Sequence, residues 1–162
     1  MKQLLIIRHA KSSWVTIGQN DFDRPLNERG IRDAPMMADR LLAKKISIDA
    51  FISSPAKRAI ITASLFAEVY QLDPKKIETI PQLYHAHASV FYEVISQIED
   101  PIKTAALFSH NPGITEFVNE LTRTKIDDMP TCGIYAITSA TEKWKNFRKA
   151  EKIFWFFDYP KS

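Results

Sequence analysis

Apolar residues gather along this chain into short unbroken runs, separated by longer stretches in which they recur every three or four positions. The first run, Leu4-Leu5-Ile6-Ile7, has the length and branching of a strand buried on both faces of a sheet, and it stops at Arg8-His9. A loop over residues 21–27 then closes on a helix, with Asn27 as its cap and Glu28 in its first turn. Ile31, Ala34, Met37 or Ala38, and Leu41 follow at helical spacing, and Pro35 should kink this helix or divide it. Residues 48–52 form a second buried strand ending at Ser53-Ser54-Pro55. Ser54 as cap and Pro55 at the first helical position start another helix, whose apolar stripe runs through Ala59 or Ile60, Ala63, Phe66 or Ala67, and Tyr70. Residues 77–80 read as a strand, and the loop 81–89 leads into a helix from about Ser89 to Glu99. A third buried strand over 104–109 ends at His110, after which Asn111-Pro112-Gly113 turns into a helix bearing Ile114, Phe117, Val118 and Leu121. The runs 134–137 and 152–157 have no helix between them and suggest an antiparallel pair at the sheet edge, with Trp144 and the late aromatics in the core.

Three strand-to-helix junctions therefore present Arg8-His9, Arg58 and His110. If the strands are parallel, right-handed crossovers bring their carboxyl ends to one side of the sheet, so residues about a hundred positions apart can converge. Two guanidiniums grip phosphate oxygens as forks, and helix starts after Ser54 and Asn111 add backbone donors. Lys11-Ser12-Ser13-Trp14 either extends such a cradle or is a solvated loop. The constellation points to an anionic, phosphate-bearing substrate.

Composition narrows the picture from the other side. The 162 residues suit a single domain spanning 1–162, and 45% hydrophobic with 25% charged residues match an ordinary globular protein. The net charge of +3 is scattered, with no cationic stripe for nucleic acid or a membrane surface. Cys132 is the only cysteine, which excludes an internal disulfide and a Cys-rich metal cluster, favours a reducing compartment and reads as a small core or strand residue. Arg8 interrupts the first apolar run too early for a signal peptide, and no segment approaches the ~20 apolar residues of a membrane span. These features predict a cytoplasmic protein. His85-x-His87 lacks an obvious third ligand, so a loop or pocket-rim position is preferred over a metal site.

Arg8-His9-Ala10, Ser53-Ser54-Pro55-Ala56-Lys57-Arg58-Ala59 with Thr62-Ala63, and Ser109-His110-Asn111-Pro112 together resemble the motifs of the histidine phosphatase superfamily. The small size and the segment Asp23-Arg24-Pro25-Leu26-Asn27-Glu28-Arg29-Gly30 are similar to its SixA-like phosphohistidine phosphatase branch. The resemblance implies a three-layer α/β/α fold of the phosphoglycerate mutase type, mostly parallel with an antiparallel edge, and no metal or other cofactor. It implies His9 as nucleophile, Arg8 and Arg58 as phosphate clamps and His110 as the second pocket histidine; Asn111 and Ser12 are further candidate substrate contacts from their own positions in the chain. Cations around His9 would lower its pKa and keep the attacking nitrogen free, while His110, protonated or donating, would steady the phosphoryl oxygens. Loss of either arginine should cost about a thousandfold in rate.

Acid phosphatases of this superfamily often carry an aspartate after the second histidine, where this chain has Asn111, and others use a glutamate from the middle segment, where residues 82–89 hold no carboxylate. His85 or His87, or more remotely Glu93, is left as general acid. An imidazole leaving group has a conjugate acid of pKa ~6.5 and departs without strong acid assistance, so the missing carboxylate favours a phosphohistidine protein over a phosphate ester. The alternatives are a small-molecule phosphomonoesterase with His85 as acid, and a phosphate-binding module without turnover.

Overall fold

The computed structural model describes residues 1–14, 18 and 20–161. In chain order the elements are β1 (Lys2–Arg8), α1 (Glu28–Ala43), β2 (Ala50–Ser53), α2 (Lys57–Val69), β3 (Glu78–Thr79), α3 (Ala88–Ser96), β4 (Thr104–Ser109), α4 (Gly113–Leu121), β5 (Ile134–Ser139) and β6 (Lys152–Asp158). The strands make one six-stranded sheet in the order β3-β2-β4-β1-β5-β6. β1, β2, β3 and β4 run parallel, whereas β5 pairs antiparallel with both β1 and β6, as the two late runs predict.

Alternation along β1 divides the core in two, because successive strand side chains point to opposite faces. Leu4 and Ile6 join the layer containing Phe91 and Ile95 of α3 and Ile114 and Phe117 of α4. Leu5 and Ile7 join the opposite layer, with Ala34 and Met37 of α1 and Ala63 and Phe66 of α2. Both faces are covered, so β1 and β4 read in sequence as continuous apolar runs. The arrangement is a mixed α/β/α fold of the phosphoglycerate mutase type.

Several expectations are corrected. Pro35 does not divide α1, because the loss of a single ladder bond is outweighed by the buried face of Ala34, Met37, Ala38 and Leu41; Ile31 is exposed rather than part of that face. α2 begins at Lys57, not Pro55, with Ala56 at the cap position and no side-chain cap bond. α3 covers residues 88–96 and stops short of Glu99. Trp144 and Phe147 are fully buried, but Trp155 and Ile153 lie exposed on β6, the edge strand. No helix among the described residues is long and apolar enough to cross a membrane.

Candidate active site

The parallel strands end at one edge, and there they deliver their polar residues. Arg8 is the last residue of β1 and lies beside Ser109, the last residue of β4, so His9 and His110 leave the sheet as neighbours. Their ring centroids are 5.2 Å apart. Arg58 sits in the first turn of α2, as its helical spacing predicts. The loop after β1 is tied to that helix through Thr62, whose hydroxyl accepts from the Ala10 N–H (2.9 Å) and donates to the Arg58 carbonyl (2.7 Å). On the other side Cys132, in left-handed backbone conformation (φ 60°), turns its N–H onto the carbonyls of Arg8 (3.1 Å) and His9 (3.0 Å). Its thiol is buried, and burial pushes its pKa up, in keeping with a packing residue.

These junctions enclose a cavity of about 310 Å³. Arg8, His9, Ser12, Arg58, His85, His110 and Asn111 all line it. His87 and Glu93 are exposed and do not. Sequence reasoning missed four further residues that do: Asp21, Arg24, Tyr84 and Thr131.

His9 is 5% exposed, and its hydrogen bonds settle its tautomer. Nδ1 donates to the Ala10 carbonyl at 2.8 Å, while the Arg58 Nε–H points at Nε2 from 3.4 Å. A nitrogen that faces a donor is the one without a proton, so Nε2 carries the lone pair, directed at Arg58 in the ligand-free site. Burial, opposed by the Ala10 bond and reinforced by Arg8, Arg58 and Arg24, lowers the His9 pKa to about 3. Burial therefore comes ahead of the cations expected to do this.

Of the two states expected for His110, protonated or donating, burial favours the neutral one. Burial, then His9 and Arg58, bring its pKa down to about 2, so the ring is neutral and not an imidazolium. Its Nε2 lies 2.7 Å from Ser54 Oγ, which also accepts from the Ala56 N–H at 3.2 Å. Ser54 thus orients the histidine instead of capping α2. The assignment that satisfies the most groups sends the Ser54 hydrogen to Nε2 and leaves the ring proton on Nδ1, which is buried without another partner.

The cations are held with some of their donors free. Arg8 donates through one terminal nitrogen to the Met129 carbonyl (2.8 Å), and its buried Nε has no partner. Arg24, also buried, stacks on the exposed Trp14 ring at 3.3 Å, donates to Ser12 Oγ and to Asp21 Oδ1 (3.0 Å), and keeps its Nε unpartnered. Arg58 gives one terminal nitrogen to the Asp21 carbonyl (2.7 Å) and the other to Asp21 Oδ2 (3.0 Å). Tyr84 donates its hydroxyl to the same oxygen at 2.6 Å. Asn111 is less available than expected: its amide nitrogen donates to Asp128 (2.8 Å) and Met129 (3.2 Å), and its oxygen accepts from Thr115 (2.6 Å). It braces the wall, and the expected start of a donor-rich helix lies two residues on, at Gly113.

Residues 4–99, more than half the chain, match the model of the histidine phosphatase superfamily, branch 1. The chain belongs to this superfamily. A phosphoserine phosphatase of Hydrogenobacter thermophilus is 36% identical over 87 residues, which are 52% of this chain and 40% of the relative's length. The chain thus spans well under two thirds of that relative. Among solved structures, the protein histidine phosphatase SixA complexed with tungstate shares the fold of this superfamily member over 98% of this chain and 97% of its own, at a TM-score of 0.81 and 22% identity. A phosphoserine phosphatase of Entamoeba histolytica in complex with 3-phosphoglyceric acid does so over 98% and 97%, at a TM-score of 0.69 and 18% identity.

The Asp21 and Arg24 signals were present in the sequence as an acid and a base three residues apart ahead of the Asn27 cap. What gave no sign was their destination, since Asp21 meets Arg58 and Tyr84 across 37 and 63 residues.

Proposed function

We propose that this superfamily member is a phosphatase that transfers the phosphoryl group of a protein phosphohistidine to His9 Nε2 and then to water. The observation that carries the reading is the state of His9: a neutral ring among three guanidiniums, with its Nδ1 proton fixed on the Ala10 carbonyl and its Nε2 lone pair directed at Arg58. In the first displacement Nε2 attacks phosphorus and the bond to the substrate nitrogen breaks. The substrate imidazole, protonated on its other nitrogen, leaves as a neutral ring, which needs no strong acid. Throughout, His9 keeps its Nδ1–H, so in the second displacement it too departs from phosphorus as a neutral imidazole. Arg8 and Arg58 would hold the transferring oxygens, with the neutral His110 ring lining the cavity beside them.

A phosphate-ester substrate is the second reading, favoured by the phosphoserine phosphatase likeness and by His85, which lines the cavity and is exposed at its rim. One preparation assayed on a phosphohistidine-bearing protein, phosphoserine and p-nitrophenyl phosphate separates the two. We expect the phosphohistidine protein to be hydrolysed with a kcat/KM at least a hundredfold above either ester, and acid-labile phosphate on the enzyme to vanish in His9→Ala. Faster ester hydrolysis would make the second reading correct; a label persisting in His9→Ala would refute the mechanism. Arg8→Ala and Arg58→Ala should each lower kcat/KM on the order of a thousandfold.

A further inference from the structure

We propose that Asp21 is the general base for the second displacement, the residue that takes a proton from the water attacking phosphorylated His9; this rests on the covalent intermediate proposed above. The middle segment offers no carboxylate, but the early loop brings one into the cavity beside Tyr84 of that segment. Asp21 Oδ2 lies 3.0 Å from the Arg58 guanidinium, whose Nε reaches His9 Nε2 at 3.4 Å, so carboxylate and nucleophile are about one guanidinium apart.

Direction matters as much as distance. The His9 side chain is sunk at the cavity floor, whereas the Asp21 side chain is 42% exposed and stands at the mouth. An in-line leaving group departs toward the mouth, and the water that replaces it arrives along the same path, opposite Nε2. Among the described residues Asp21 is the carboxylate that lines this cavity.

Asp21 also has the right charge state and independent support. Burial pushes its carboxyl up, but Tyr84, Arg58 and Arg24 together pull it below the usual carboxylate range. An ionised carboxylate accepts protons and is a poor donor, which suits the second step rather than the first. If Arg58 turns its terminal nitrogens to a bound phosphoryl group, the Tyr84 hydroxyl (2.6 Å) and Arg24 (3.0 Å) still hold the carboxylate, and Arg24 is itself fixed by Ser12 and Trp14. In the step, the water oxygen bonds to phosphorus, its proton passes to Asp21, the bond from phosphorus to Nε2 breaks and its electron pair returns to that nitrogen. Asp21 then gives its proton to bulk water at the exposed mouth.

The test is rapid-quench kinetics of Asp21→Asn and Asp21→Glu on a phosphohistidine-bearing protein, following acid-labile phosphate on the enzyme and release of inorganic phosphate separately. Asparagine keeps one acceptor oxygen, which can take the place of Oδ2 and accept from Tyr84 and Arg58, but it is not a base. We expect its dephosphorylation rate to fall on the order of a hundredfold, with phosphoenzyme accumulating toward one per molecule, while phosphoenzyme forms within a few-fold of the wild-type rate. Glutamate should recover at least a tenth of the turnover. Overturning results are an Asp21→Asn enzyme whose two steps slow equally, which would make Asp21 only a support for Arg58, or one that turns over as fast as or faster than wild type, which would make it only a competitor for the arginines. Absence of any label on His9 in the wild-type protein would instead strike the proposed function.

Discussion

Two buried histidines, with burial opposing their charged forms, tie the site to the stability of the whole fold. In the unfolded chain each has a pKa of ~6.5, whereas in the folded chain the values are about 3 for His9 and about 2 for His110, with burial the leading cause. Between these limits the unfolded state binds protons that the folded state refuses. Their contribution to stability is therefore complete above pH ~6.5, and declines as pH falls toward the folded values. From pH 7 to pH 5 the pair should withdraw on the order of 4 kcal/mol, nearly half from each ring. Urea denaturation of wild type beside a His9→Asn, His110→Asn double variant checks this: the variant should lose less stability over that interval by about this amount. Equal losses would mean that the histidines are not kept neutral. The same depression leaves His9 unprotonated at pH 5, so its titration should not produce an acid limb near 6.5 in kcat/KM.

At the scale of elements, the site depends on how closely helix starts approach loops. Gly113 opens α4, and a Cβ there would lie 1.9 Å from the Ala86 carbonyl oxygen, next to His85. No side-chain rotation relieves a contact between a Cβ and backbone, so Gly113→Ala must push the loop carrying Tyr84 and His85 away from α4. We expect a loss of about 1–3 kcal/mol, read as a lower urea midpoint with unchanged slope, and a fall in kcat/KM from the shifted rim. Such close approaches also explain what was legible in the sequence. β1 and β4 were, because strands covered on both faces carry an apolar run that fits little else, and Asn27 was, because its oxygen accepts from the Gly30 N–H (2.9 Å) as an N-cap should. The start of α2 was misread because the Ser54 hydroxyl has a better partner in His110, 56 residues away, than in its own helix. Asp21 and Arg24 stayed hidden as site residues because loop positions have no periodicity, and their meaning is set by groups that only the folded chain brings near. His9, Arg8, Arg58 and His110 could be assembled because each falls at the end of a strand or the start of a helix, where topology alone fixes the direction.

On the scale of the molecule, the cavity gathers β1, α2, the Asp21 loop and the β4 junction from positions 8 to 110, so an anion bound there bridges segments that unfold together. A ligand that recognises only the folded arrangement stabilises it by mass action, about 2.7 kcal/mol at a hundred times its Kd. For a chain of 162 residues this corresponds to roughly 5–10 °C in Tm. Inorganic phosphate should produce such a shift, measured by thermal unfolding at fixed ionic strength. Arg58→Ala and Arg8→Ala should abolish it, since each removes a guanidinium from the convergence. The +3 net charge offers a competing explanation, nonspecific anion binding at the surface, and salt screening separates the two. Surface attraction fades as chloride is raised to 0.5 M and persists in both arginine variants. Binding in the cavity, where Arg24 and His110 are each more than nine-tenths buried, keeps most of its effect in salt and loses it in the variants. A shift that survives Arg58→Ala would place the anion elsewhere on the molecule and leave the four converging residues without a ligand.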